Sequence, residues 1–83
     1  MRTEWEIKDR IAEMETAMRG AITHYYKKEW TEEFFAKMYS DIWDNMRELY
    51  WVLGMTQKEA SDFVAAKVMK MSDEIRAAIK NQQ

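Results

Sequence analysis

The chain has 83 residues without cysteine or proline, and 13 basic against 15 acidic residues give it a net charge of −2. A chain of this length forms one domain, over residues 1–83, with a small core that no disulfide supports, and the lack of cysteine fits a reducing compartment, so we expect a cytoplasmic protein. The slight acidic excess argues against nucleic acid as a partner, because phosphate binding needs clustered Lys and Arg, and no apolar run approaches the roughly 18 residues that span a membrane.

A first helix is predicted over about residues 4–28. Thr3 and Glu6 have the spacing of a capping box, in which each residue satisfies a free polar group of the helix start. Gly20 inside this helix is interpreted as a tolerated glycine, with a kink or a close helix contact as the alternative. Apolar residues recur at alternating steps of four and three, which is typical of a heptad seam: Ile7, Ile11, Met14, Met18, Ala21 and Tyr25.

A second helix is predicted over about residues 32–53. Thr31 is a competent N-cap, and the acidic residues Glu32 and Glu33 suit the positive end of a helix. The alternative is an unbroken helix through residues 27–33, which would leave a long helix able to exchange between two chains. The second helix has a broad apolar face: Phe35, Met38, Ile42, Met46, Leu49 and Leu53.

Gly54 is the clearest stop signal, because glycine readily adopts the left-handed conformation that ends many helices. Thr56 and Glu59 then form a second capping box before a third helix over about residues 57–80. Its seam again follows heptad spacing: Ala60, Val64, Val68, Met71, Ile75 and Ala78. Short connections make consecutive helices antiparallel, so the sequence predicts an all-α, three-helix up-down-up bundle, with a helical dimer as the alternative.

No combination of residues points to catalysis. His24 is the only histidine, and there is no cysteine to complete a zinc site and no glycine-rich loop to hold phosphate. We therefore expect neither an enzyme nor a bound cofactor or metal. His24, Tyr25, Lys27 and Lys28 are possible contacts for an anionic ligand, through their phenol, imidazole and ammonium groups.

Aromatic residues are the most informative feature, since nine of the eleven lie between Tyr25 and Trp51. Each ring represents about 150–250 Å² of surface, more than so small a core is expected to hide. The bundle should gather them at its two ends and leave some for a partner. The predicted partner-binding residues are Trp5, Tyr26, Trp30, Phe34, Trp43, Tyr50, Trp51 and Met55.

These patterns favour a non-enzymatic protein-interaction module. We expect a small regulator or inhibitor that binds a larger protein through exposed Trp, Tyr and Met side chains and also self-associates as a homodimer. The alternative function is a small-molecule or nucleotide binder with an aromatic pocket between helices or at a dimer interface. A structural alternative is that the rings simply close the two ends of the bundle.

Overall fold

The computed structural model describes residues 3–82, and it contains three α-helices: α1 (Glu4–Tyr26), α2 (Glu32–Val52) and α3 (Gln57–Gln82). Together the helices form an elongated bundle of 45 × 23 × 22 Å. No helix within residues 3–82 is apolar over a length that would cross a membrane.

Side-chain contacts establish the directions of the helices. The rings of Tyr25 and Phe35 stack across the first connection, and Tyr50 packs edge-on against Phe63 across the second, so each pair of consecutive helices is antiparallel. An ion pair of 3.7 Å joins Arg19 to Glu74 and ties α1 to α3. The predicted three-helix, all-α bundle is confirmed.

All three helices begin at a threonine cap. The backbone N–H of the third residue after each cap donates to the threonine hydroxyl at 3.1–3.2 Å, for Thr3, Thr31 and Thr56. Before α3 the capping box is reciprocal, because the Glu59 carboxylate also accepts the Thr56 N–H at 3.1 Å. These backbone and hydroxyl hydrogen bonds to Thr56 lower the pKa of Glu59 below its ordinary value.

Gly54 ends α2 as its identity predicted. Its φ of 113° lies in the region that side chains disfavour, and the N–H groups of Gly54 and Met55 donate to the carbonyls of Trp51 and Tyr50 at 3.0 and 3.2 Å. This pair of bonds is the Schellman motif, which satisfies carbonyls at a helix end.

The end of α1 differs from the prediction, since the helix stops at Tyr26 rather than at residue 28. Lys28 takes the left-handed position of a second Schellman motif, with a φ of 61°. Its N–H donates to the Tyr25 carbonyl at 3.0 Å, and the Glu29 N–H donates to the His24 carbonyl at 2.9 Å. The alternative of an unbroken helix through residues 27–33 is therefore wrong, and with it the basis for exchange of a long helix between chains.

The core runs along the common axis and draws on every helix. Its buried members are Ile7, Ile11, Met18, Ala21, Ile22, Ile42, Met46, Tyr50, Ala60, Val64, Val68 and Met71. A Cβ placed on Gly20 would meet no atom within 4 Å, which excludes a close helix contact at that glycine. Most of the predicted seam is buried, although Ala78 is exposed near the end of α3.

Candidate interaction surface

The end of the bundle where α1 begins, α2 ends and α3 begins carries the most exposed aromatic side chains, and we call it the Trp51 end. Trp5 is 74 % exposed in the first turn of α1, while Trp51 and Val52 are 54 % and 56 % exposed in the last turn of α2. Within residues 3–82, neither indole stacks on another ring. These side chains therefore present apolar surface to solvent.

A shallow groove of about 240 Å³ lies beside Trp51. It is lined by Arg47, Glu48, Trp51, Val52 and Gln57. The indole and the valine supply an apolar wall, and the arginine, the glutamate and the amide supply donors and acceptors at the rim. A partner that inserts an apolar side chain here would find hydrogen-bonding groups of both kinds around it.

A second, more open groove at the Trp51 end is lined by Met55, Glu59, Asp62 and Phe63. Met55 is partly buried against the core, and the Phe63 ring is 40 % exposed. The apolar surface of the Trp51 end thus continues from α2 through the connection to the first turns of α3.

At the opposite end, where α1 ends and α2 begins, the rings pack against one another; we call this the Trp30 end. The Trp30 ring stacks on His24 with centroids 4.7 Å apart, and Phe34 meets Trp30 edge-on, also at 4.7 Å. The Tyr25 and Phe35 rings stack at 4.2 Å. Phe34 remains 46 % exposed, whereas Trp30, Tyr25 and Phe35 are partly buried. The interpretation that aromatic rings close the bundle describes this end well.

The four residues predicted as ligand contacts do not converge on one site. The Nδ1 atom of His24 lies 2.7 Å from the Glu29 carboxylate, and its ring faces Trp30. Tyr25 packs on α2, Lys27 is an exposed helix cap, and Lys28 lines a separate groove.

Tyr26 and Trp43 are only partly accessible. Tyr26 packs against the core and lines the groove that contains Lys28, together with Ile79 of α3. Trp43 is also partly buried against the core in the middle of α2. Neither side chain offers the free surface that Trp5 and Trp51 offer.

Tyr50 is a core residue, so its assignment to a partner-binding surface needs correction. Its side chain is 7 % exposed, and its hydroxyl donates to the Glu15 carboxylate at 3.2 Å. Lys67 donates to the same carboxylate oxygen. The ammonium lies 5.4 Å from the Phe63 ring centroid and 5.8 Å from that of Tyr50. Tyr50 is buried because α1 and α3 together satisfy its polar end.

Tyr50 and Lys67, which both donate to Glu15, each hold their proton more firmly than the free side chain does. Burial raises the pKa of Tyr50, with partial opposition from the neighbouring ammonium. Partial burial lowers the pKa of Lys67, but the hydrogen bonds to Glu15 and Tyr50 outweigh it and leave this pKa raised. The cluster joins three helices, because Glu15 of α1 accepts hydrogen bonds from Tyr50 of α2 and Lys67 of α3.

Sequence reasoning overlooked Glu15 and Lys67, although a signal was present. Glu15 follows the seam residue Met14, and Lys67 precedes the seam residue Val68. Positions that flank a seam are where helices of a bundle exchange ion pairs. Val52 and Met69 were overlooked as exposed apolar residues, because their exposure depends on what neighbouring helices leave uncovered.

Comparison of the chain with protein-family models, with curated proteins and with solved structures found no match.

Proposed function

We propose that the chain is a non-enzymatic protein-interaction module that binds a larger protein through the Trp51 end. The observation that carries this proposal is the exposure of Trp51 and Val52 beside a groove with a mixed polar rim. Side chains that dominate binding energy in interfaces are enriched in Trp, Tyr and Arg, and Trp51 and Arg47 line the same groove.

The contrast between the two ends supports the choice of surface. At the Trp30 end, ring contacts already bury part of Tyr25, Trp30 and Phe35, so a partner that covers these three rings would remove less apolar surface from water. At the Trp51 end, Trp5 has most of its surface in water and Trp51 has about half. Removal of this apolar surface from water would drive association. A module of this kind acts by occupying a surface of its partner, which is how a small regulator or inhibitor works.

The test is quantitative capture with variants that differ only in exposed rings. The tagged chain is compared with Trp51→Ala, with Trp5→Ala/Trp51→Ala and with the matched control Phe34→Ala, which removes an exposed ring at the Trp30 end. We expect a defined partner whose dissociation constant rises at least about 30-fold with Trp51→Ala and changes little with Phe34→Ala.

Site-specific photo-cross-linking removes the ambiguity of loss-of-binding data. A benzophenone side chain at position 51 should cross-link the partner, and the same group at position 34 should not. Equal affinity of the Trp5→Ala/Trp51→Ala variant and the unaltered chain for the captured partner, with both folded by circular dichroism, would contradict the proposal.

A further inference from the structure

On the solvent-facing side of α3, opposite charges lie at equal distances before and after one exposed apolar residue. Met69 is 67 % exposed. Asp62 lies seven residues before it and Arg76 seven residues after it, and both are exposed. Steps of seven residues are close to two helical turns, so the three side chains lie along one line of the helix.

We propose that this side of α3 binds a second copy of the chain, with the two α3 helices antiparallel and a two-fold axis at Met69. In that arrangement Asp62 of each copy faces Arg76 of the other, and the two Met69 side chains meet at the axis. A two-fold interface uses the same patch twice, so one complementary pair in the sequence gives two in the dimer.

The neighbours of Met69 suit a close approach of two helices. Ala65, one turn before Met69, is exposed and small, and in the antiparallel arrangement it faces Asp73 of the second copy rather than a bulky side chain. Lys58 would face Lys80 at the outer limits of the contact, where water screens the repulsion. The attractive pairs are thus nearer the centre than the repulsive ones.

The charged side chains on this face already form ion pairs within α3, but they remain exposed to solvent. Asp62 lies 3.3 Å from Lys58, with the two side chains 70 % and 88 % exposed. Arg76 lies 2.6 Å from Asp73, with both side chains more than 60 % exposed. Exposed pairs within one helix are weak, and an added partner across the interface can share them.

The size of the face sets the strength of the contact. From Lys58 to Lys80 the helix is about 33 Å long and about 10 Å wide, so two copies would bury on the order of 700 Å² in all. This is below the roughly 1,000 Å² of a stable complex, so the dimer is weak and reversible. Its formation should depend on concentration over the range of about 10 μM to 1 mM.

Sedimentation equilibrium of the full chain tests the proposal by charge exchange. D62R or R76D alone replaces two attractions by two repulsions and should weaken self-association by about 10- to 100-fold, whereas D62R/R76D restores both attractions and the affinity. Trp51→Ala should leave self-association unchanged. A single species of 10.1 kDa at every concentration, a double variant as weak as the single ones, or loss of the dimer in Trp51→Ala would overturn the proposal.

A cysteine scan gives an independent readout, because the chain contains no other thiol. Met69→Cys places two thiols at the proposed axis, and mild oxidation should yield a disulfide-linked dimer. Ala77→Cys is an exposed position on the same helix whose copies do not face each other, and it should cross-link at least about tenfold more slowly, since a disulfide needs Cα atoms within about 7 Å. Equal cross-linking rates of the two variants would also overturn the proposal.

Discussion

Lys28→Gly should stabilise the protein, because Lys28 is the only non-glycine residue with positive φ within residues 3–82. A left-handed conformation costs an L-residue about 1–2 kcal/mol, and glycine does not incur this cost. Glycine in turn loses about 0.5–1 kcal/mol through the greater freedom of the unfolded chain. The net gain is about 0.5–1 kcal/mol, or about 2–8 °C in melting temperature for a domain of this size.

Urea unfolding followed by circular dichroism measures the change as a shift in midpoint at constant slope. Two controls isolate the backbone term. Lys28→Ala removes the same charged side chain but keeps the strain, so its stability should stay within about 0.5 kcal/mol of the unaltered chain. Gly54→Ala introduces strain at a φ of 113° where an added Cβ meets no atom within 4 Å, so it should cost about 1 kcal/mol.

The sign of the Lys28→Gly effect distinguishes two structures. If α1 ran on through Lys28 as a continuous helix, glycine would destabilise it by about 1 kcal/mol. A midpoint lower than that of the unaltered chain, with the slope unchanged, would therefore refute the left-handed turn at Lys28 and restore the long-helix alternative.

Three further predictions concern the core, the pair Tyr50 and Lys67, and the capping residue Glu59. Met46→Ala should cost about 2–5 kcal/mol in the free energy of unfolding, because Met46 is fully buried, whereas Met69→Ala at an exposed site should change it by less than about 0.5 kcal/mol; similar melting temperatures would contradict the core assignment. The raised pKa values of Tyr50 and Lys67 mean that the folded state holds these protons more tightly, so their contribution to the free energy of unfolding is complete below the unfolded pKa values and is lost as the pH rises through about 10 and above. The urea midpoint of Tyr50→Phe/Lys67→Met should therefore fall less steeply from about pH 9 to 11.5 than that of the unaltered chain. Equal pH dependence of the two midpoints would argue against the cluster. The lowered pKa of Glu59 has the opposite effect: its contribution to the free energy of unfolding is present above the unfolded pKa of about 4.3 and is lost in acid. Glu59→Gln should be less stable than the unaltered chain at pH 7, and the difference should shrink below about pH 4. A difference in stability that does not depend on pH would contradict the capping role.

The helix ends illustrate what local sequence does and does not determine. Gly54 was predictable, because the residue type itself favours the required backbone conformation. Lys28 was not, because lysine disfavours positive φ, and the contacts that hold it there come from its surroundings. His24 binds Glu29 at 2.7 Å and stacks on Trp30, and both contacts fold the connection back onto α1.

The placement of Tyr50 depends in the same way on three helices at once. Its position on α2 indicates only that it lies at the edge of the apolar face. It is buried because Glu15 of α1 accepts a hydrogen bond from its hydroxyl and Phe63 of α3 packs against its ring. Neither contact follows from the periodicity of α2. Heptad spacing predicted most core positions. The burial of Tyr and Trp rings, which carry a polar group, could not be predicted without the contacts that neighbouring helices make with them.

The two ends of the bundle differ because their connections differ. The connection after α1 contains Trp30, an aromatic residue that returns over His24 and meets Phe34. The connection after α2 contains no aromatic residue, and its apolar side chains Leu53 and Met55 pack against the core, so no ring of the connection covers Trp51. The exposed indole is therefore a consequence of how the chain turns. Replacing Trp51 should cost little folding stability, so a loss of partner binding in Trp51→Ala would report on the interface itself.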